Sequence, residues 1–201
     1  MTNQALRQIL EDDVVLGAQA LLGSTLIHGS LRARIIEVEA YRASDDPASH
    51  AFRGRTKRNV PMFGPAGFAY VYFNYGVHWM LNVTAHSDGD AAAVLVRAAV
   101  PLEGLETMGE RRDATDAKAL LSGPGKLTKA FGITDQEQQM DLLATESELR
   151  IEAAESAVAF VSGPRVGIAS GKGENIPWRF VEKEFRQWSS SPRITDDVES
   201  W

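Results

Sequence analysis

The chain has no cysteine, which excludes disulfides, a thiolate nucleophile and Cys-ligated zinc, and leaves the redox compartment open. No run approaches the roughly 18–20 apolar residues of a membrane span. The opening Met-Thr-Asn-Gln-Ala-Leu-Arg-Gln-Ile-Leu lacks the basic-then-apolar layout of a secretory signal, so a cytoplasmic location is the expectation. The four histidines, His28, His50, His78 and His86, fall in no H-E-x-x-H or paired ligand spacing, and no metal is expected. Neither a G-x-x-x-x-G-K-[ST] nor a G-x-G-x-x-G motif is present. Internal repeats, low-complexity tracts and Pro/Gly/Ser linkers are also missing, so the 201 residues read as one domain. What is there is ordinary for a globular protein, with 44% hydrophobic and 24% charged residues.

Negative charge is absent from one long stretch. A formal net charge of −6 argues, taken globally, against a polyanionic partner. Between Asp46 and Asp88, however, there is no carboxylate, while Arg53, Arg55, Lys57 and Arg58 all fall there. The same stretch holds half of the aromatic residues: Phe52, Phe63, Phe68, Tyr70, Tyr72, Phe73, Tyr75 and Trp79, with Tyr41 just upstream. Cations and rings concentrated together are what a polyanion with stackable bases requires. The competing reading is a basic loop beside an aromatic core hairpin.

Apolar spacing predicts a helix over 4–21, closed by Gly23, and a strand pair over 24–41 turning at Gly29-Ser30. Residues 42–66 read as a long polar surface loop, a kind that in compact domains is usually functional. Strands over 68–74 and 78–85 form a hairpin reversing at Tyr75-Gly76, and 92–99 is a further apolar strand. Pro101 is expected to open a helix through about Glu110, and 126–131 is a helix ended by Gly132. Short strands follow over 149–153, 157–162 and 180–182, and an acidic tail from about residue 190 carries Asp196, Asp197 and Glu199. The fold class is α+β: a single mixed domain with a mainly antiparallel curved sheet, a protruding β-hairpin and flanking helices.

Several residues break local rules. On strand 31–41, Glu37, Glu39 and Tyr41 share one face, opposite Ile36, Val38 and Ala40, which should face the core. Two carboxylates leading into a ring describe either the wall of a polar cleft or a solvated strand face. Their spacing of roughly 6.5–7 Å touches that of inverting glycosidases, so saccharide hydrolysis by Glu37 and Glu39 stays open. Arg97, inside Ala-Val-Leu-Val-Arg-Ala-Ala, needs a partner such as Glu39 or Glu37; a structural ion pair would serve as well as a functional one. Asn82, inside an apolar strand, either caps a bulge or reads a ligand edge. Tyr75, at a hairpin tip, either packs on a neighbouring loop or inserts into something external, as wedges between base steps do. The Ser122-Gly123-Pro124-Gly125-Lys126 run is a helix start, or a helix N-terminus offered to phosphate.

In order, the chain carries Ile36-Glu37-Val38-Glu39-Ala40-Tyr41, His50, Gly54, Arg55-Thr56, Arg58-Asn59, Met62-Phe63-Gly64, Gly67 and Tyr70-Val71-Tyr72. Tyr75-Gly76, Asn82, Ala93-Val94-Leu95-Val96-Arg97-Ala98, Pro101-Leu102-Glu103-Gly104, Ser122-Gly123-Pro124, Lys126-Leu127 and Arg165-Val166-Gly167 follow. From about residue 5 to 185 this resembles the alkyladenine (3-methyladenine) DNA glycosylase family. No single piece is distinctive; their order and spacing together are.

The resemblance implies a mixed α/β monomer without metal or cofactor, associated with the nucleoid. Acting in base excision repair, it would flip damaged purines of the 3-methyladenine, 7-methylguanine, hypoxanthine and ethenoadenine class from double-stranded DNA. It would then hydrolyse the N-glycosidic bond without lyase activity, leaving an abasic site. By the family's pattern, Glu39 is the general base that activates water and Arg97 helps hold that water. Tyr41, His50 and Tyr72 line the base pocket, Tyr75 fills the gap left by the flipped nucleotide, and Asn82 stands where guanine's exocyclic amine is excluded. Arg55, Thr56, Lys57 and Arg58 are expected on the DNA backbone. The chain departs from the pattern at Ala51-Phe52 (often Ser), Val100 (usually Glu), Val77-His78 beside the wedge, and Ser170 (a pocket histidine in some members). A non-enzymatic nucleic-acid-binding module is the other reading.

Overall fold

In a computed structural model that describes residues 1–43, 45–87 and 90–194, two helices, α1 (Asn3–Asp12) and α2 (Val14–Leu21), replace the single helix expected over 4–21. Asp13 divides them. Its backbone is extended, at φ −152° and ψ 118°, and its carboxylate accepts from the amides of Val15 and Leu16 at 2.6 and 3.0 Å. Those are amides that a helix start otherwise leaves unpaired. The apolar stripe continues through the break, burying Leu6, Leu10, Val14, Ala18 and Leu21.

The helices cover an antiparallel sheet of β1 (Thr25–His28), β2 (Leu31–Tyr41), β3 (Ala69–Asn74), β4 (His78–Ser87), β5 (Asp90–Glu103) and β6 (Leu149–Glu152), in the order β3-β4-β5-β2-β1-β6. Two short strands, β7 (Phe160–Gly163) and β8 (Arg179–Glu182), pair with each other, and β8 also pairs with β2. β1 is only long enough to pair with Leu31–Arg34 of β2, so the distal Glu37, Val38 and Glu39 take β8 as their second neighbour. The sheet is curled and flanked by helices, which is the expected single α+β domain.

Where β2 crosses β5, two irregularities fall on either side of Glu37. Ile35 pairs with Ala99 and Glu37 with Ala98, leaving Ile36 as an extra residue on β2. The next pair is Val38 with Val96, leaving Arg97 as an extra residue on β5. Such bulges redirect side chains, often beside active sites. They also change the expected alternation. Leu31, Ala33, Ile35, Val38 and Ala40 join the main core cluster, whereas Ile36 is buried outside it. Ile36, Val38 and Ala40 therefore do not form one core face.

Pro101 does not open a helix. β5 runs through it to Glu103, with Pro101 opposite Ala33. The β4 partners of β5 end at Leu95, so a residue with no N–H is accommodated at this less confined end. The chain turns at Gly104, at φ 82°, where a Cβ would collide with Leu31 Cδ2, and α3 (Leu105–Arg112) begins there. α4 (Ala117–Leu120) and α5 (Pro124–Phe131) follow, α5 starting two residues ahead of expectation.

The 42–66 segment is a folded layer. It contains a 3-10 turn (Val60–Phe63), and Ala43, Ala51 and Met62 pack with Tyr70, Ala91 and Ala93 in a second, smaller core. The tail expected from about 190 begins instead as a buried strap, with Ser189 and Ser190 each 3% exposed. Asp196, Asp197 and Glu199 lie outside the described residues.

Candidate active site

A cleft of about 340 Å³ opens between the β3–β4–β5 surface, the 42–66 layer and the loop at Val166–Ile168. It gathers six residues singled out from the sequence: Tyr41, His50, Tyr72, Tyr75, Asn82 and Arg97. Tyr70 joins them. The His50 ring stands edge-on to Tyr72 at 4.6 Å between centroids, and Tyr70 lies 5.5 Å from Tyr72. The Tyr41 ring is held from outside the cleft by the Arg165 guanidinium, 4.6 Å from its centroid.

Glu39 lies immediately behind this lining and is fully buried. Its Oε2 accepts from the Tyr41 hydroxyl at 2.8 Å and from Arg97 Nη1 at 3.1 Å, and its Oε1 accepts from the Val166 amide at 2.7 Å. All three donors line the cleft. A carboxylate has about four acceptor positions, so Glu39 keeps one for a further donor. Glu37 accepts from Arg97 Nε at 3.0 Å, Arg179 Nε at 2.7 Å, the Ser190 amide at 2.5 Å and the Ser190 hydroxyl at 2.7 Å. The two carboxylates of one strand thus differ in surroundings: the donors to Glu39 all line the cleft, whereas of those to Glu37 only Arg97 does. Saccharide hydrolysis by the pair would need Glu37 free, and it is not.

The charges follow from this packing. Burial alone would lower the Arg97 pKa, but Glu39 and then Glu37 outweigh it and hold the guanidinium above its ordinary range. Burial, followed by the charge of Glu39, pushes the Tyr41 hydroxyl well above the usual tyrosine value, so it stays a donor. Burial also raises Tyr70 and Tyr72. Desolvation, then the nearby Arg58, lowers His50, leaving a neutral imidazole at neutral pH whose Nδ1 is 2.9 Å from the Tyr70 hydroxyl.

Asn82 is 4% exposed and its Nδ2 donates to the Tyr70 carbonyl at 3.0 Å. Its pairing with β3 runs unbroken past it and its pairing with β5 ends at it, opposite Leu95, with no register shift in either, so it caps no bulge. Tyr75 packs on no loop: it is 94% exposed. With Gly76 it forms the hairpin turn, at φ 49° and 69°, closed by the Val77 amide donating to the Asn74 carbonyl at 3.0 Å. That turn matches the strand twist, yet a non-glycine residue there costs on the order of 1 kcal/mol. A strained ring with no packing to offset the strain is poor economy for stability alone.

Arg55, Thr56, Lys57 and Arg58 are all exposed on the layer beside the cleft. Arg58 lies 5.0 Å from the Tyr72 centroid and donates to the Phe73 carbonyl at 3.4 Å. The Ser122–Lys126 run is a helix start whose Pro124 reaches the cleft.

Sequence reasoning missed the supports. Asn59, 1% exposed, donates to the carbonyls of His50 and Gly54 at 2.7 and 2.9 Å and accepts from the Thr56 amide at 2.6 Å, which sets the His50 loop. Asp46 and Arg165 form a fully buried pair, at 2.5 and 2.8 Å, that ties this layer to the loop bearing Val166. Arg179 carried the same signal as Arg97, a guanidinium in the apolar run Trp178-Arg179-Phe180-Val181. Ser190 carried none. Among the described residues there is no group of three or more side chains suited to a metal, and no helix long and apolar enough to cross a membrane.

A family model described as Methylpurine-DNA glycosylase (MPG) matches residues 8–186. The chain belongs to the methylpurine-DNA glycosylase family. Two relatives in strains of Rhodopseudomonas palustris carry the provisional name of 3-methyladenine DNA glycosylase. One is 45% identical over 84% of this chain and 80% of its own length, the other 47% identical over 85% and 86%. A relative in Nitrosospira multiformis with the same name is 44% identical over 85% of this chain and 89% of its own. All the cleft and carboxylate residues of this methylpurine-DNA glycosylase family member except the Ser190 support fall inside the matched span.

Proposed function

We propose that the chain is a monofunctional DNA glycosylase of base excision repair. It flips alkylated or deaminated purines out of duplex DNA and hydrolyses their N-glycosidic bond with water activated by Glu39. It works as a monomer and needs neither metal nor cofactor. The observation that carries this reading is the Glu39 carboxylate, buried behind a ring-lined cleft with one acceptor position left.

Extruding a purine costs a few kcal/mol. Stacking on Tyr41, His50 and Tyr72, with Tyr75 filling the gap in the duplex, returns about 1–3 kcal/mol for each base–aromatic stack, enough to offset it. An N3- or N7-alkylated purine is cationic and favours the faces of the rings. As the C1′–N9 bond breaks, its electron pair stays with the purine, which departs neutral, and the sugar becomes oxocarbenium-like. Anionic Glu39 stabilises that centre and takes a proton from the water that bonds to C1′. Arg97, already on Glu39, orients the water. Undamaged guanine also stacks, so it must be refused at its edge, and the Asn82 amide does this by crowding the 2-amino group.

The test is a duplex containing a single 7-methylguanine or hypoxanthine, assayed for free base and an abasic site. The wild-type chain should release base and form no borohydride-trapped adduct. Glu39→Gln should bind the duplex but release base at least about a hundredfold more slowly, and Asn82→Ser should begin to release normal guanine. Binding without base release by the wild type would make the chain a binding module and end this reading.

A further inference from the structure

Ser190 lies outside the matched family span and touches neither the cleft nor Glu39, yet every polar atom it has is engaged. Its amide and hydroxyl donate to Glu37 at 2.5 and 2.7 Å, and its carbonyl accepts from Arg179 Nη2 at 3.0 Å. Its Oγ also accepts twice from Arg97, from Nε at 3.3 Å and from Nη2 at 3.1 Å. One donor and two acceptor positions are all that a hydroxyl has. The Nε–Nη2 edge of Arg97 is thereby fixed from behind, and Nη1 is the end left to point at Glu39.

We infer that Ser190 is a positioning residue: its hydroxyl, braced by Glu37 and Arg179, holds the bulged Arg97 so that Nη1 meets Glu39. The inference rests on the glycosylase reading above. A guanidinium prefers to engage a carboxylate through two parallel N–H groups, and Glu37 stands next to the same edge. Without the Ser190 hydroxyl, only the Nη1–Glu39 contact opposes a turn of Arg97 toward paired contact with Glu37, and that turn would draw Nη1 off Glu39. Glu39 would then lose a cationic donor and take up a proton more readily. The other groups bearing on Glu39 are Tyr41 on its own strand, Tyr72 on β3 and Arg165 on the loop opposite; none of them touches Ser190, so their influence stays.

The experiment measures single-turnover release of 7-methylguanine from a duplex across acidic to neutral pH. That leaving group carries its own charge, so the acid limb reports on Glu39. Ser190→Ala should slow release roughly tenfold, leave half-saturation by duplex unchanged, and move the acid limb up by roughly half a pH unit or more. Ser190→Thr, which keeps Oγ, should restore both rate and limb. Ser189→Ala should change neither, because the Ser189 hydroxyl donates only to the Arg186 carbonyl, at 2.8 Å. If Ser190→Ala does not fold, Ser190→Cys keeps the volume with a poor acceptor and should show the same loss. An active wild type whose Ala or Cys variant keeps its rate, or slows with no move of the limb, overturns the positioning role alone. A wild type that releases no base overturns the glycosylase reading beneath it.

Discussion

At the scale of single residues, the site depends on donors whose protonation is held fixed by burial, and this has a cost at high pH. Tyr41 keeps its proton in the folded chain to a pH well above the ordinary tyrosine value, while in the unfolded chain it loses it near pH 10. Above that value the unfolded state binds fewer protons than the native one, so stability falls as pH rises, by up to about 1.4 kcal/mol per pH unit for this group. Tyr70 and Tyr72 act in the same direction. The urea midpoint should therefore drop above about pH 10, and Tyr41→Phe should make the drop shallower; an unchanged slope would contradict the buried Tyr41–Glu39 contact. Residues of this kind were legible when they violated their surroundings. Arg97 was conspicuous among valines and alanines, and Arg179 would have been by the same rule. A serine is at home almost anywhere, so Ser190 gave no sign of the network it joins. Alternation alone did not separate Glu37 from Glu39, which share a strand face; only the resemblance named Glu39, and the difference in their surroundings belongs to the fold.

At the scale of elements, the β3–β4 hairpin holds Tyr75 clear of the rest of the protein, at a backbone angle that suits glycine better. Tyr75→Gly should therefore raise stability by up to about 1 kcal/mol, read as a small rise in Tm. It should also weaken binding to lesion-containing duplex by roughly tenfold or more. A fall in both would mean that the ring packs on the protein after all. The hairpin was readable from alternation and its Tyr-Gly turn. Two other elements were misread for local reasons. Asp13 resembles any polar residue on the outer face of a long helix until its extended backbone makes it a cap. Pro101 at the head of a polar run imitates a helix start, and only the pairing of β5 with β2 keeps it in a strand.

At the scale of the whole molecule, net charge and local charge act in opposite directions. The chain is acidic overall, but Arg55, Lys57 and Arg58 stand exposed on the layer flanking the cleft, so that layer carries a local positive charge. Neutralising all three should flatten the plot of log affinity against log salt by up to about 0.9 for each phosphate that is no longer neutralised; an unaltered slope would place the duplex elsewhere. Composition and periodicity gave the α+β class and the curved antiparallel sheet. The exchange of β1 for β8 along β2 was beyond them, since it follows from how far each short strand reaches. The opposed irregularities at Ile36 and Arg97 have a bearing on heredity. Each displaces the pairing by one residue and each undoes the other, and from β5 the alignment passes to β4 and then to the rings of β3. Loss of a single codon at either position would throw the pairing of residues 38–41 with residues 93–96 out of step by one residue. Loss of both would bring the strands back into line as a second-site suppressor does, restoring the pairing while leaving no arginine aimed at Glu39.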